Sequence, residues 1–290
     1  MKIRLKAYAK INLSLNITGV REESVHMHTL DTVLTSVDLA DVITVSKRKD
    51  SKVNIEYSDN RIEAGKDSVT KAVCAFQKKY GAAGADIFIE KRIPFCGGLG
   101  GSGADAAGVL NALAALYNIN DNLTDIAFSA GSDVPYLLRG GFCRVSGTGG
   151  QTDFFTAPAE FYPVIAQAAG GVLAKDAYRV FDGLYPEKKY CPSDNDALIA
   201  ALAGNDSDAS YGYMRNALTK PSLQLSPRIA DTLAALTRAG AVKSLMAGSG
   251  SACVGFFPGP DKAETAARDL REKGFYAKAV KTLRKGIEIT

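Results

Sequence analysis

The chain has 290 residues, which is long enough for two modest domains, each with its own hydrophobic core. Hydrophobic residues make up 46% and charged residues 23%, as in ordinary globular proteins, and no apolar run is long enough to span a bilayer. The net charge of +4 is too small and scattered to indicate a nucleic-acid partner. We therefore expect neither a nucleic-acid nor a membrane partner.

The cysteines indicate a reducing compartment and no resident metal. There are five, an odd number, and none are spaced as metal ligands. The first residues also lack the apolar core of a signal peptide. We expect free thiols and a cytoplasmic location. Cys96 is the exception to consider, but a small buried side chain is the simpler interpretation.

The N-terminal segment carries the clearest periodicity. Apolar and polar residues alternate strictly from Ile3 to Ile17, which predicts one bent strand or two consecutive ones, with a core face and a polar face. Lys10 and Asn12 share the polar face, about 7 Å apart along the strand. The pattern alone favours a solvated outer face.

The next elements are predicted from shorter patterns. Two strands are expected over Thr32–Val37 and Val42–Val45, and a helix over Ser68–Lys79. A β-branched run, Ile87–Ile93, predicts another strand, and the Ala- and Leu-rich run Asp105–Tyr117 predicts a helix.

Between that strand and that helix lies a segment with five glycines among eleven residues. Its residues are Pro94, Phe95, Cys96, Gly97, Gly98, Leu99, Gly100, Gly101, Ser102, Gly103 and Ala104. Glycines let the backbone approach an anion, and the free N–H groups of a helix start bind it. The segment predicts a phosphate-binding loop for a nucleotide.

Two other interpretations of this segment stay open. Glycine-rich turns also occur for packing alone. The dinucleotide fingerprint G-x-G-x-x-G is present at Gly98, Gly100 and Gly103, as in NAD-dependent oxidoreductases. However, it lacks the acidic residue that such a fold places after the next strand, because Asn118–Asp121 has the composition of a helix end and loop. No Walker A lysine follows the glycines.

Beyond the glycine segment, a short helix is expected from Asn122 to Gly131. Asp133 then precedes Pro135, which is typical of a helix N-cap. Gly, Thr and Pro in residues 147–158 favour a domain boundary, giving domains 1–155 and 156–290.

The second half has the pattern of a small α+β sandwich. The predicted elements are a strand at Tyr162–Gln167, a loop at Asn205–Ser210, a helix from Ser226 to Gly240, a hairpin over Val242–Phe257, a helix at Asp261–Lys273 and a strand at Phe275–Lys281.

Three separated segments together resemble the motifs of the GHMP kinases, the group that includes galactokinase, homoserine kinase and mevalonate kinase. They are Ala9–Leu13, Pro94–Ala104 and Met246–Ser251, and their order and spacing agree over nearly the whole chain. The resemblance implies a two-domain α+β fold, in which the first domain resembles the second domain of ribosomal protein S5 and the second is ferredoxin-like. Substrate would lie between them.

The resemblance also implies a chemistry, transfer of the γ-phosphoryl group of ATP, with Mg²⁺, to an acceptor hydroxyl. Asp133 would take the hydroxyl proton, Lys10 would assist it, and Asn12 would hold the acceptor. The helix start, placed at Ala104, would face the ATP phosphates. The protein would be a monomer or weak homodimer.

Further details point to the family branch that phosphorylates a cytidyl-linked methylerythritol in non-mevalonate isoprenoid synthesis. They are Lys10 with Asn12, the run Lys91–Pro94, and the run Gly131–Pro135. The implied acceptor is therefore a phosphorylated cytidyl compound, with His28 at the cytosine edge and Tyr178 stacked on the base.

Two departures from the family pattern keep alternatives open. The family usually has G-Y-H where this chain has His26-Met27-His28, so one aromatic wall of the cytosine slot is replaced by Met27. The family also usually has two adjacent serines where this chain has Gly103 and Ala104. The one serine of this segment is Ser102, one place earlier. A kinase with another acceptor and a non-catalytic nucleotide-binding relative therefore remain as alternatives.

Overall fold

The computed structural model describes residues 1–21, 24–65, 67–168 and 170–290. The strands are β1 (Lys2–Asn12), β2 (Asn16–Arg21), β3 (Ser24–Lys47), β4 (Val53–Tyr57), β5 (Ala85–Glu90), β6 (Cys143–Gly147), β7 (Gln151–Phe154), β8 (Tyr162–Gln167), β9 (Lys243–Met246), β10 (Cys253–Phe257), β11 (Tyr276–Ala279), β12 (Thr282–Leu283) and β13 (Ile287–Ile289).

The helices are α1 (Ser68–Tyr80), α2 (Gly101–Tyr117), α3 (Thr124–Ala130), α4 (Val134–Leu137), α5 (Ala174–Leu184), α6 (Asn195–Ala203), α7 (Ser207–Tyr213), α8 (Thr219–Leu225), α9 (Arg228–Arg238) and α10 (Pro260–Glu272). Within the described ranges, no helix combines the length and apolar character needed to cross a membrane.

The larger sheet has the order β13-β1-β3-β5-β4, and β3 pairs in addition with β2, β6 and β12. Its strands are antiparallel except for the parallel pair β4 and β5. Helix α2 packs on this sheet through its small residues, and a side chain at Gly108 would lie 2.6 Å from Ile43 Cδ1. The Ala- and Gly-rich sequence of α2 thus sets how closely the helix approaches the sheet.

The structure corrects two predictions, one about the extent of β3 and one about the polar face of the β1–β2 segment. The two predicted strands over Thr32–Val37 and Val42–Val45 are one continuous strand, Ser24–Lys47. The alternating run does break into two strands, as allowed, but its polar face is not solvated. That face is buried from Tyr8 onward, comprising Tyr8, Lys10, Asn12, Ser14 and Asn16.

The second half of the chain covers this face at Ser14 and Asn16, and the glycine-rich segment lies against Lys10. Leu15 N donates to Arg215 O at 2.8 Å, and Asn16 Nδ2 donates to Ser193 O at 2.9 Å. Local periodicity distinguishes the two faces of a strand but does not show which of them a distant segment covers.

The smaller sheet is antiparallel, with the order β11-β8-β10-β9. It confirms the predicted hairpin and the α+β class, and α9 and α10 pack on it. The loop predicted at Asn205–Ser210 is wrong, because α7 begins there with Asp206 as N-cap, accepting from Ala209 N. The boundary between residues 155 and 156 stays a prediction, and β12 and β13 beyond it pair within the larger sheet.

A buried charged cluster lies under the glycine-rich segment. Lys91 Nζ donates to Asp41 and, at 2.5 Å, to Asp105 Oδ2, and both carboxylates are almost fully buried. Burial alone would lower the pKa of Lys91, but the charges of Asp105 and Asp41 outweigh it and raise that pKa. Burial also raises the pKa of Asp105 well above its ordinary value, and Lys91 offsets this only partly.

We predict that the stability of Asp105→Asn relative to wild type increases as the pH rises from 4 to 8. Because the folded-state pKa of Asp105 is raised, its favourable contribution is complete below its ordinary value of 3.8 and is lost as the pH rises through the folded value. Asparagine keeps the shape without this loss. Thermal denaturation from pH 4 to pH 8 should show a growing difference in Tm, reaching about 2–4 °C, the shift that 1 kcal/mol produces in a domain of this size.

Asp121→Asn makes the same change in an exposed loop and should show no such trend. A Tm difference for Asp105→Asn that stays constant with pH would contradict the assignment.

Candidate active site

A cavity of about 520 Å³ lies between the two halves of the chain. Its walls come from β1, β3, the glycine-rich segment, the residues before α4, α5 and the turn after β9. The structure brings into it Lys10, Asn12, Asp133, Tyr178 and the predicted loop residues Pro94, Phe95, Cys96, Gly97, Gly98, Leu99, Gly100, Gly101, Ser102 and Gly103.

The glycine-rich segment passes directly into helix α2. The helix begins at Gly101, not at the predicted Ala104, and Ala104 N already donates to Gly100 O at 2.8 Å. Its first-turn N–H groups, at Gly101, Ser102 and Gly103, lack intrahelical partners by their position. They are therefore the donors that an anion in the cavity would meet, rather than that of Ala104.

The turn between β9 and β10 supports this loop from behind. A side chain at Gly98, where φ is +74°, would lie 2.2 Å from the carbonyl oxygen of Ala247. Two backbone bonds join the same segments, from Ser251 N to Cys96 O at 3.1 Å and from Ala252 N to Gly97 O at 3.2 Å. The third motif thus fixes the backbone of the second.

Lys10 connects β1 to the loop and to the carboxylate of Asp133. Its backbone N–H donates to Leu99 O at 3.0 Å, and its stem lies against Gly100, where an added Cβ would be 2.9 Å from Lys10 Cγ. The ammonium donates to Asn12 Oδ1 at 2.8 Å and lies 3.7 Å from Asp133 Oδ2. A buried cation therefore sits between the loop and an acidic group.

Asp133 occupies the predicted N-cap position of α4 but does not cap it. Its side chain makes no capping hydrogen bond and is 47% exposed, whereas the side chain of Lys10 is 6% exposed. The carboxylate is thus available to the cavity as an acceptor of protons or hydrogen bonds.

His28 and Tyr178, which the resemblance places at the edge and the face of a cytosine, contact each other in the structure. The ring of His28 stacks on Tyr178 with centroids 4.7 Å apart, and His28 Nε2 lies 2.7 Å from Asp182 Oδ1. Met27 lies on β3 with 45% exposure, and the side chain of His26 is outside the described part. Asp182 was not predicted, although it lies four residues after Tyr178 on the same helical face.

A second hydroxyl joins Ser102. Ser102 Oγ donates to Ser68 Oγ at 3.0 Å, and both serines line the cavity at helix starts. Ser68 carries no functional signal in the sequence, because a serine beside the N-cap Asp67 is ordinary for a helix start.

The donor set suits magnesium held mainly by phosphate and water. Among the described residues, no three His, Cys, Asp or Glu side chains form a metal-binding group. The hydroxyls of Ser68 and Ser102 and the exposed carboxylate of Asp133 are oxygen ligands of the kind that Mg²⁺ accepts besides its waters. Cys96 is half-buried, and burial raises the pKa of its thiol, which leaves it a weak nucleophile.

Comparison with known proteins gives concordant results. The family model described as "GHMP kinases N terminal domain" matches residues 67–141, and that described as "GHMP kinases C terminal" matches residues 195–275. A relative from Clostridium tetani named 4-diphosphocytidyl-2-C-methyl-D-erythritol kinase is 32% identical over 276 residues, covering 93% of this chain and 96% of the relative. A relative of the same name from Pseudarthrobacter chlorophenolicus is 31% identical, covering 96% and 92%.

Solved structures agree with this pattern. A crystal structure of 4-(cytidine 5'-diphospho)-2C-methyl-D-erythritol kinase is 30% identical, with a TM-score of 0.79 and coverage of 97% of this chain and 99% of that one. Homoserine kinase from Cytophaga hutchinsonii has a TM-score of 0.76 at 18% identity, with coverage of 100% and 97%, which shows a shared fold.

We predict that Gly98→Ala weakens ATP binding by about tenfold or more, a loss of at least ~1.4 kcal/mol. The added methyl group meets the backbone of the supporting turn at a left-handed position, so the loop must move. Calorimetric titration with ATP measures the effect. Gly183→Ala is the control, since a methyl group added there would have nothing within 4 Å, and an unchanged Kd in Gly98→Ala would contradict the role of the turn.

Proposed function

The chain belongs to the GHMP kinase family, and on that premise we propose that it phosphorylates a hydroxyl of 4-diphosphocytidyl-2-C-methyl-D-erythritol. Family membership makes it an ATP-dependent small-molecule kinase with the two-domain GHMP fold, and it excludes the oxidoreductase alternative. The acceptor and the place in non-mevalonate isoprenoid synthesis are the proposed part. The observation that carries them is the similarity, over almost their full length, to relatives with that name.

The phosphoryl transfer is assigned to Lys10 and Asp133. Asp133 accepts the proton of the attacking hydroxyl, and its open carboxylate faces the cavity near the glycine-rich loop. Lys10 orients Asp133 and stabilises negative charge on the transferring group from a buried position, where electrostatic interactions are strong. Phosphoryl transfer depends mainly on such positioning and charge stabilisation.

The nucleotide phosphates are assigned to the start of α2. The N–H groups of Gly101, Ser102 and Gly103 and the hydroxyls of Ser68 and Ser102 provide the donors. Mg²⁺, the proposed cofactor, would neutralise phosphate charge when bound there with ATP. Because backbone N–H groups form most of this cradle, replacing the usual serine pair by Gly103 and Ala104 is compatible with nucleotide binding.

The cytosine is assigned to Tyr178 and His28. Since the carboxylate of Asp182 accepts from His28 Nε2–H, the Nδ1 of a neutral imidazole is an acceptor. Cytosine offers its 4-amino donor to such an acceptor, whereas uracil offers a carbonyl oxygen at that position. Asn12 retains one N–H and one lone pair for the acceptor after its two observed bonds.

The test is ADP release with ATP, Mg²⁺ and a panel of acceptors. The panel contains the cytidyl compound, its uridyl analogue, homoserine and mevalonate. The proposal predicts turnover on the cytidyl compound and at least tenfold less on the uridyl analogue, the size of one lost hydrogen bond of about 1.4 kcal/mol. Turnover only on another acceptor would reassign the substrate, and ATP binding without any turnover would establish a non-catalytic relative.

We also predict that Asp133→Asn reduces kcat by about 100-fold or more while ATP binding is retained, because only the proton acceptor is lost. Steady-state kinetics and calorimetry measure the two effects. Asp125→Asn, an exposed residue on α3, is the control and should behave as wild type. Near-normal turnover of Asp133→Asn would exclude Asp133 as the base.

A further inference from the structure

We propose that Thr32 is a positioning residue for phosphoryl transfer, acting through Asn12 on the ammonium group of Lys10. The inference rests on the proposed function in one respect, namely that Lys10 takes part in the chemistry. Thr32 lies on β3 inside the cavity wall and is 4% exposed.

The hydroxyl of Thr32 has a single proton to donate. Thr32 Oγ1 lies 2.5 Å from the carbonyl oxygen of Ser14 and 2.9 Å from Asn12 Nδ2. A carbonyl oxygen can only accept, so Thr32 donates its proton to Ser14. Thr32 Oγ1 is therefore the acceptor of the bond with Asn12, and the donor must be the amide nitrogen.

The amide of Asn12 has two orientations that differ little in shape. With Nδ2 held by Thr32, the amide oxygen faces Lys10 Nζ at 2.8 Å. The opposite orientation would place an N–H donor against the ammonium group and leave both without an acceptor. Because Asn12 and Lys10 are almost fully buried, water cannot readily supply the missing hydrogen-bond acceptors.

The amide oxygen of Asn12 in turn positions the ammonium group of Lys10. One N–H of Lys10 is held by Asn12, and the group lies 3.7 Å from Asp133 Oδ2. Holding one donor at a fixed point restricts a long, flexible side chain, so that its other donors face Asp133 and the phosphoryl group. Thr32 thus contributes without touching either reacting group.

Ser14, which accepts the Thr32 proton, makes further hydrogen bonds of its own. Ser14 Oγ accepts from Val33 N at 3.0 Å and donates to Asn195 Oδ1 at 2.6 Å. Asn195 in turn donates from Nδ2 to Asp31 O at 3.0 Å. The residue whose carbonyl accepts the Thr32 proton is therefore held by side-chain hydrogen bonds to both halves of the chain.

The test compares Thr32→Val, which has the same shape without the hydroxyl, with Thr32→Ser, which keeps the hydroxyl. We expect Thr32→Val to lower kcat by about 10- to 100-fold, with the Kd of ATP within about twofold of wild type. Thr32→Ser should stay within about threefold of wild type in kcat. The matched control is Thr35→Val, a buried position on the same strand, which should leave kcat unchanged.

A double-mutant cycle separates positioning from packing. If Thr32 acts through Asn12, Thr32→Val should have no further effect on kcat in an Asn12→Ala background. Full retention of the Thr32→Val effect in that background, or normal kcat in Thr32→Val alone, would overturn the proposal.

Crystal structures of wild type and Thr32→Val provide a measurement that needs no acceptor. We expect the ammonium of Lys10 to leave Asn12 in the variant, and an unchanged position would overturn the proposal. If wild type fails to turn over the cytidyl compound, the proposed acceptor is wrong, and these structures still decide the role of Thr32.

Discussion

The site depends on holding one charged side chain, that of Lys10, almost entirely out of water. A lysine is rarely buried unless its charge is paired, and here Asn12 and Asp133 supply the partners. The backbone of Lys10 also bonds to Leu99, so the larger sheet continues into the glycine-rich loop. Strand, loop and cation are thereby fixed in one arrangement, which favours charge stabilisation without reorganisation during the reaction.

The second half of the chain supports this burial indirectly, through the glycine-rich loop that lies against Lys10. Its turn between β9 and β10 approaches the loop so closely that Gly98 has no room for a side chain. The buried polar residues beside Lys10 form hydrogen bonds with one another, as in the bonds joining Asn12, Thr32 and Ser14. The same loop rests on the buried cluster of Lys91, Asp41 and Asp105, in which a single lysine faces two carboxylates.

Much of the fold and the main site residues follow from the sequence because their signals are local. Helix α1, the hairpin of β9 and β10, and the glycine-rich loop each have their own pattern. The errors arise where distant segments decide the outcome. Strand β3 is continuous because five neighbouring strands pair with different parts of it within the described ranges. Helix α2 begins at Gly101, so that two glycines lie inside its first turn. Helix propensity does not predict this start, because glycine is a poor helix former.

The same distinction applies to the site. Lys10, Asn12 and Asp133 fall in recognisable motifs, whereas Thr32, Ser68 and Asp182 are ordinary residues in their local sequence and acquire a role only through contacts across the fold. The most direct test of the account is to measure ATP binding and single-turnover kinetics of Lys10→Met side by side. We expect a Kd for ATP close to wild type and turnover reduced by about 100-fold or more. Turnover near that of wild type would contradict it.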